Sequence, residues 1–264
     1  MTVMVESNHE ALLEKIRGTA QKAFLNGLEF LTSDTVYDYS FGVATTHGER
    51  IELWENGVFR SYADNEANLL PFFISLLRVS VAERIRDKVF VHAGVVGVHD
   101  RAIVIPGNSF TGKTTLVAEL VKRGADYLSD EYAVLDGDGF VHPFTRDLSI
   151  RVRGEREIEA EITAESLGGR KGTRPMSVGM VLITEYEPAA SLPPETLTLG
   201  NGIKEMIPHT IPVRLNTEFA LKVLNKTLER AIILKGSRGE ALQFAHFLLS
   251  YIHNDLNWPI KAVD

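Results

Sequence analysis

The sequence contains no cysteine in its 264 residues. A chain without cysteine forms no disulfides, binds no zinc through thiolates, holds no cysteine-ligated iron–sulfur cluster and has no thiol nucleophile. It is also poor in positive charge, because 28 Lys and Arg stand against 35 Asp and Glu, a net charge of −7. Nucleic-acid binding requires a cationic surface, so we expect no nucleic-acid partner.

A long apolar run is absent as well. The most apolar stretch, residues 69–82, is interrupted by Pro71 and Arg78, and it is shorter than the ~20 residues that a membrane span needs. The N-terminal residues become acidic before any apolar segment develops, which is unlike a signal peptide. We therefore expect a cytoplasmic protein without a membrane partner.

Hydrophobic patterning predicts two regions. Residues 1–88 read as a small α+β region: a helix over 9–31, a hairpin over 36–63 and a long helix over 65–88. Residues 89–264 read as an α/β domain with mixed sheets, in which 126–135 form one strand, the Gly- and Arg-rich segment 155–177 is a loop, and helices lie near 200–208, 216–228 and 238–253. No internal repeat or low-complexity linker divides the chain further.

Residues 107–114, GNSFTGKT, match the phosphate-binding pattern G-x-x-x-x-G-K-[ST]. The glycines let backbone N–H groups turn toward phosphate oxygens, and the following helix adds the positive end of its dipole. Lys113 is suited to bridge the β- and γ-phosphates, and the Thr114 hydroxyl to ligate Mg²⁺. A chance match is the alternative, but the pattern follows an apolar strand and opens an amphipathic helix. The predicted nucleotide-binding residues are Gly107, Asn108, Ser109, Phe110, Thr111, Gly112, Lys113, Thr114 and Thr115.

Asp130 and Glu131 follow the next apolar strand. The helix over 114–124 runs about 16 Å away from the phosphate loop, and a strand over 126–130 returns about 17 Å. Because the two paths match in length, we expect both carboxylates beside the loop. One acid is then suited to take a proton from an attacking hydroxyl, and the other to bind Mg²⁺. Solvated acids at a strand end are the alternative.

Residues 91–135, VHAGVVGVHDRAIVIPGNSFTGKTTLVAELVKRGADYLSDEYAVL, resemble the catalytic core of the HPr serine kinase/phosphorylase family and its bacterial relatives. The resemblance implies the fold shared with phosphoenolpyruvate carboxykinase, serine kinase activity, and ATP and Mg²⁺ as cofactors. It assigns Lys113 and Thr114 to the triphosphate and Mg²⁺, Asp130 to deprotonation of the acceptor serine, and Glu131 to a place near the metal.

The resemblance also gives His92 a place close to the base. On its own a strand histidine is more typical of a packed core, whereas the family position suggests that it tunes the base, ligates metal or positions a phosphate. The sequence departs from the family at Glu131, Phe110 and Ser149, the last in place of a metal-binding Glu. These changes count against HPr as acceptor and against phosphorolysis. Arg151 is the best nearby arginine for clamping phosphate, a surface arginine being the alternative.

We therefore predict an ATP-dependent kinase of 89–264 that phosphorylates a hydroxyl, with serine of a protein or peptide as the first acceptor and a small-molecule alcohol as the second. A nucleotide-binding module without transfer activity is the alternative, and Ser149 favours it. A switch or motor NTPase is a weaker option, since those folds place more strands between the lysine and the acid. The family is also compatible with a homo-oligomer.

Overall fold

The structure is a computed structural model, and it divides into two compact units, Met1–Ile85 and Arg86–Asp264. In 150–152 and 158–160 only the backbone is described. The residues that the structure describes are 1–24, 27–31, 35–46, 50–108, 111–152, 158–188, 190, 194–256 and 258.

The first unit combines a small sheet with two helices. Its strands run in the spatial order β1-β2-β3-β4, with β1 parallel to β2 and the other pairs antiparallel. The predicted hairpin turn is present, with positive φ at Asn56 and Gly57. Side chains of His9 and Asn65 cap the two helices. The elements are β1 Val3–Ser7, α1 Glu10–Ala23, β2 Tyr39–Thr45, β3 Ile51–Glu55, β4 Val58–Ala63 and α2 Glu66–Arg84.

The second unit is a mixed sheet with helices on both faces. In its described part the sheet order is β12-β7-β5-β8-β9-β13-β15-β14, and β6 pairs with both β5 and β13. Strands β10 and β11 form a separate antiparallel pair. The strands are β5 Lys88–Val98, β6 Arg101–Pro106, β7 Asp126–Ser129, β8 Tyr132–Asp136, β9 Phe140–His142, β10 Leu148–Val152, β11 Ile158–Ile162, β12 Arg170–Lys171, β13 Met176–Tyr186, β14 Glu195–Thr196 and β15 Ile232–Arg238. The helices are α3 Lys113–Val121, α4 Leu199–Met206, α5 Thr217–Leu228 and α6 Ala241–Asn254, with short 3₁₀ segments Glu165–Leu167, Ile207–His209 and Ile211–Arg214.

Strand β6 shows why the strands before the phosphate loop contain runs of consecutive apolar residues. Ile103 and Ile105 face the core that contains α3 and α6, whereas Ala102 and Val104 face the core that contains α5. A strand that is buried on both faces needs apolar residues at consecutive positions rather than at alternate ones. The mixed α/β class predicted from this patterning is therefore present. In the ranges described, each helix is too short or too polar to cross a bilayer.

Several predicted elements differ in extent. The first helix ends at Ala23 rather than at 31, and the predicted strand over 126–135 is broken between β7 and β8. The predicted loop over 155–177 contains β11 and β12, although 153–157 lie outside the described residues. The predicted helix over 238–253 begins only at Ala241, because its first residue, Arg238, ends strand β15. The predicted helix over 216–228 is confirmed as α5.

Gly94 allows helix α3 to lie close to strand β5. A Cβ atom at this position would stand 2.6 Å from Val117 Cγ2, a distance at which the helix or the side chain must move. We expect Gly94→Ala to lower the free energy of unfolding by about 1–3 kcal/mol, as measured by urea denaturation followed by circular dichroism. Gly137→Ala is the matched control, since an added Cβ there meets nothing within 4 Å. Equal stability of the two variants would contradict the close approach.

Candidate functional site: the phosphate loop and the acidic turn

The loop between β6 and α3 is shaped by its backbone. The Gly107 N–H donates to the His92 carbonyl at 3.2 Å. The Asn108 carbonyl accepts from Lys113 Nζ at 2.6 Å and from Thr111 Oγ1 at 3.0 Å. Gly112 is the N-cap of α3 with φ 78°, a conformation that glycine adopts without strain.

The first turn of α3 is available to an anion. Among the described residues no side chain caps this helix, and its first turn carries no acidic residue, so the leading N–H groups retain their partial positive charge. Thr114 is half-buried there and Thr115 is exposed, whereas the predicted residues Ser109 and Phe110 lie outside the described part. N–H groups at a helix N-terminus after a glycine turn are suited to bind phosphate.

Arg238 supports the loop from the other side. Its Nη2 donates to the carbonyls of Thr111 at 3.0 Å and Gly112 at 2.8 Å. The side chain is 2% exposed, and burial lowers its pKa. A Cβ atom at Gly112 would collide with the guanidinium, so glycine is needed here for space as well as for its φ. By binding the loop carbonyls, Arg238 holds this turn in place.

The acidic turn lies at the break between β7 and β8. The buried Ser129 hydroxyl accepts from the N–H groups of Glu131 at 3.1 Å and Tyr132 at 3.0 Å, which replaces ladder bonds and lets the chain turn. The Glu131 carbonyl accepts from Ala93 N at 3.1 Å. The two acids are thereby fixed against the middle of β5.

Asp130 is half-buried and Lys113 is buried, and the two groups interact electrostatically. Burial raises the pKa of the Asp130 carboxyl, although its oxygens accept from the Tyr127 hydroxyl at 3.0 Å and from Ser149 N at 3.3 Å. Burial lowers the pKa of Lys113 to about 8, and the charge of Asp130 opposes that shift. The structure thus brings together the predicted base and the predicted phosphate-binding lysine.

His92 and Glu131 belong to the same cluster. Burial and, to a smaller extent, the charge of Lys113 lower the pKa of His92 to about 4 against the opposing charge of Glu131, so the imidazole is neutral near pH 7. The Glu131 carboxylate forms an ion pair with Arg146. The backbone of Arg151 lies in β10, and its side chain lies outside the described part. The clamp predicted for Arg151 stays a prediction.

The chemistry of these residues fits a magnesium ion that is shared with phosphate. Among the described residues, no three His, Asp or Glu side chains come close enough to hold a metal by themselves. Mg²⁺ commonly takes only one or two protein carboxylates, with phosphate and water oxygens completing its octahedron. Asp130 and the Thr114 hydroxyl offer such oxygens, whereas the Glu131 carboxylate is already paired with Arg146.

Sequence reasoning missed three residues of this site: Tyr127, His209 and Arg238. Tyr127 donates to Asp130 and is fully buried. His209 interacts electrostatically with Lys113. Arg238 reaches the phosphate loop from more than a hundred positions further along the chain. None of them belongs to a local motif, so only the tertiary fold reveals them.

Comparison with known proteins adds little to this geometry. No protein-family model matches the chain, and no curated protein sequence does. Among solved structures, the HPr(Ser) kinase/phosphatase from Coxiella burnetii matches with 15% sequence identity and a TM-score of 0.32, over 61% of this chain and 97% of that chain. At this TM-score the likeness is distant.

Asp130 is a residue whose ionisation opposes folding. Its native pKa lies above the ~3.9 of an unfolded Asp. The free energy of unfolding of the wild type therefore falls as pH rises from the unfolded pKa through the native pKa, and it stays lower at neutral pH. Asn does not titrate, and its amide oxygen still accepts from Tyr127, although its amide nitrogen cannot accept from Ser149 N as the carboxylate does. We expect Asp130→Asn to raise the free energy of unfolding by about 0.5–2 kcal/mol near neutral pH, in metal-free buffer. The gain should shrink on acidification; destabilisation near neutral pH would contradict it.

Removal of the Arg238 guanidinium should loosen the phosphate loop. We expect Arg238→Met to speed amide hydrogen exchange over residues 111–116 by roughly tenfold, because two charge-assisted hydrogen bonds to loop carbonyls are lost. Mass spectrometry of the corresponding peptides measures this. Lys235→Met on the same strand is the control, since Lys235 pairs with Glu205 instead. An unchanged rate of amide hydrogen exchange in the Arg238 variant would show that the loop keeps its conformation without the guanidinium.

Proposed function

We propose that the chain is an ATP-dependent phosphotransferase that moves the γ-phosphoryl group of ATP to a hydroxyl, with serine of a protein or peptide as acceptor. One observation carries the proposal: the Lys113 ammonium and the Asp130 carboxylate interact beside a helix N-terminus that has no side-chain cap in the described part of the chain. A phosphate-binding cation and a half-buried proton acceptor at one place are the two groups that transfer to a hydroxyl requires. The pairing also suits the phosphoenolpyruvate-carboxykinase-like core that the sequence suggests.

In the proposed reaction the positively charged groups bind the phosphates and the negatively charged carboxylate takes the proton. The N–H groups of α3 and the Lys113 ammonium stabilise negative charge on the phosphates. Asp130 takes the proton of the acceptor hydroxyl while the oxygen of that hydroxyl forms a bond to the γ-phosphorus. The bond from the γ-phosphorus to the β–γ bridging oxygen breaks, and ADP leaves. The Thr114 hydroxyl would hold Mg²⁺ together with phosphate and water oxygens, and the ion would supply further neutralisation of phosphate charge.

The raised pKa of Asp130 supports its role as base. A carboxylate whose charged form is disfavoured by burial binds a proton more readily than a solvated Asp does. Tyr127 holds the carboxylate in place through its hydroxyl. The neutral His92 adds no positive charge that would hold the proton away from Asp130.

A nucleotide-binding module without transfer activity is the second candidate. It is favoured by the residues around the second acid, because Glu131 pairs with Arg146 and residue 149 is a serine rather than a carboxylate. Such a module would use the loop, Lys113 and Thr114 as the kinase does, but it would bind ATP without consuming it.

Paired variants separate the two candidates. We expect Lys113→Ala to weaken ATP binding by at least about tenfold through the loss of a charge-assisted contact. Asp130→Asn should keep ATP affinity within about threefold and slow transfer by about 100- to 10,000-fold, the usual contribution of a general base. Calorimetry with ATP and Mg²⁺ measures binding. Labelled γ-phosphate followed into serine peptides, free serine and water measures transfer.

The exposed Asp138 in the β8–β9 turn provides the matched control, and Asp138→Asn should leave both quantities unchanged. Transfer at the wild-type rate in Asp130→Asn would overturn the assignment of the base. ATP binding without transfer to any acceptor would favour the binding module. Wild-type protein that binds no ATP would overturn both candidates.

A further inference from the structure

A second histidine lies opposite His92. It is His209, the last residue of the 3₁₀ segment Ile207–His209 between α4 and α5. An isolated antiparallel bridge joins Val91 to Thr210. In an antiparallel pair the next residue on one side opposes the preceding residue on the other, and opposed side chains share a face. The bridge brings the end of this 3₁₀ segment beside β5 next to His92, and the two imidazoles interact electrostatically.

The turn that presents His209 is held firmly. Thr210 is 3% exposed; its N–H donates to the Ile207 carbonyl at 3.0 Å, and its hydroxyl donates to the Met206 carbonyl at 2.9 Å. These bonds, together with the bridge to Val91, leave the position of the histidine backbone little freedom.

Three basic side chains thus converge at one spot: Lys113, His92 and His209. The pKa of His209 is lowered by burial and by the charge of Lys113, and His92 interacts with both of the others. Two of the surrounding acids are engaged elsewhere, since Glu131 pairs with Arg146 and Glu205 pairs with Lys235 at 2.7 Å. The third, Asp130, interacts with Lys113, so the histidine side of the spot is the part that is suited to an anion.

His209 has one nitrogen without a partner. Its Nδ1 atom is shielded from solvent and forms no hydrogen bond among the described residues. Such atoms are rare in folded proteins, because a buried polar group without a partner carries its full desolvation cost. A ligand oxygen beside Lys113 would supply the missing partner.

The place of this spot along the site indicates which phosphate it would meet. The loop N–H groups lie at the start of α3, whereas His92 interacts with Glu131 at the acidic turn. In the proposed reaction, the phosphate that lies between Lys113 and the acidic turn is the γ-phosphoryl group that is transferred. We propose that His209 binds the terminal phosphate of the nucleoside triphosphate through Nδ1, and that it makes the site prefer triphosphate over diphosphate. This inference rests on the proposed function.

Binding of a non-hydrolysable ATP analogue and of ADP, both with Mg²⁺, tests the proposal by calorimetry. We expect His209→Leu to weaken analogue binding by about tenfold and to change ADP binding less than about twofold, because only the triphosphate reaches the lost donor. His209→Asn should restore much of the affinity, since its amide nitrogen takes the place of Nδ1. His253→Leu, an exposed histidine on α6, is the matched control.

Each outcome of this experiment either supports or overturns the proposed role of His209. Loss of the preference for triphosphate in His209→Leu, with rescue by Asn, supports the proposal. Equal weakening of both nucleotides, or no weakening, overturns it and leaves the kinase assignment standing on Lys113 and Asp130. Wild-type protein that binds neither nucleotide overturns both. Imidazole nitrogen NMR gives an independent readout, because the His209 Nδ1 signal should shift with the analogue and not with ADP.

Discussion

The backbone of three consecutive residues on β5 holds the whole candidate site together. Val91 bridges to Thr210, the His92 carbonyl accepts from Gly107 N, and the Ala93 N–H donates to the Glu131 carbonyl. These bonds fix the 3₁₀ turn with His209, the start of the phosphate loop and the acidic turn. Because backbone groups make all three, side chains at these positions are free to differ in chemistry while the geometry of the site is kept.

The electrostatics of the site oppose its folding. Burial lowers the pKa of Lys113 and His92 and raises that of Asp130, so each charged form is less favourable here than in water. Arg238 adds a buried guanidinium whose Nε has no partner among the described residues. Such groups persist where the rest of the fold offsets the free-energy cost of burying them. Here the two apolar cores on either face of one sheet provide that stability. Groups of this kind are characteristic of functional sites.

The sequence predicts the parts of this site that are local. The phosphate loop follows from its glycines and lysine, and helix α3 follows from the periodicity after it. Matching of helix and strand lengths places Asp130 near Lys113, because only one turn separates helix α3 from strand β7. The break at Asp130 and Glu131 escaped prediction, since Ser129 acts through two N–H bonds that no periodicity reveals. His209 and Arg238 come from distant segments, and only strand pairing brings them in.

The two neighbouring acids show how one break in a strand separates two tasks. The side chain of Asp130 faces the Tyr127 hydroxyl and the Ser149 N–H, a buried setting that suits a proton acceptor. The Glu131 side chain instead reaches Arg146, while its carbonyl binds β5. The backbone of Glu131 therefore anchors the turn whatever its side chain does. An aspartate at this position would keep that anchor with a carboxylate one methylene shorter, so the bond that positions Asp130 does not depend on which acid stands at 131.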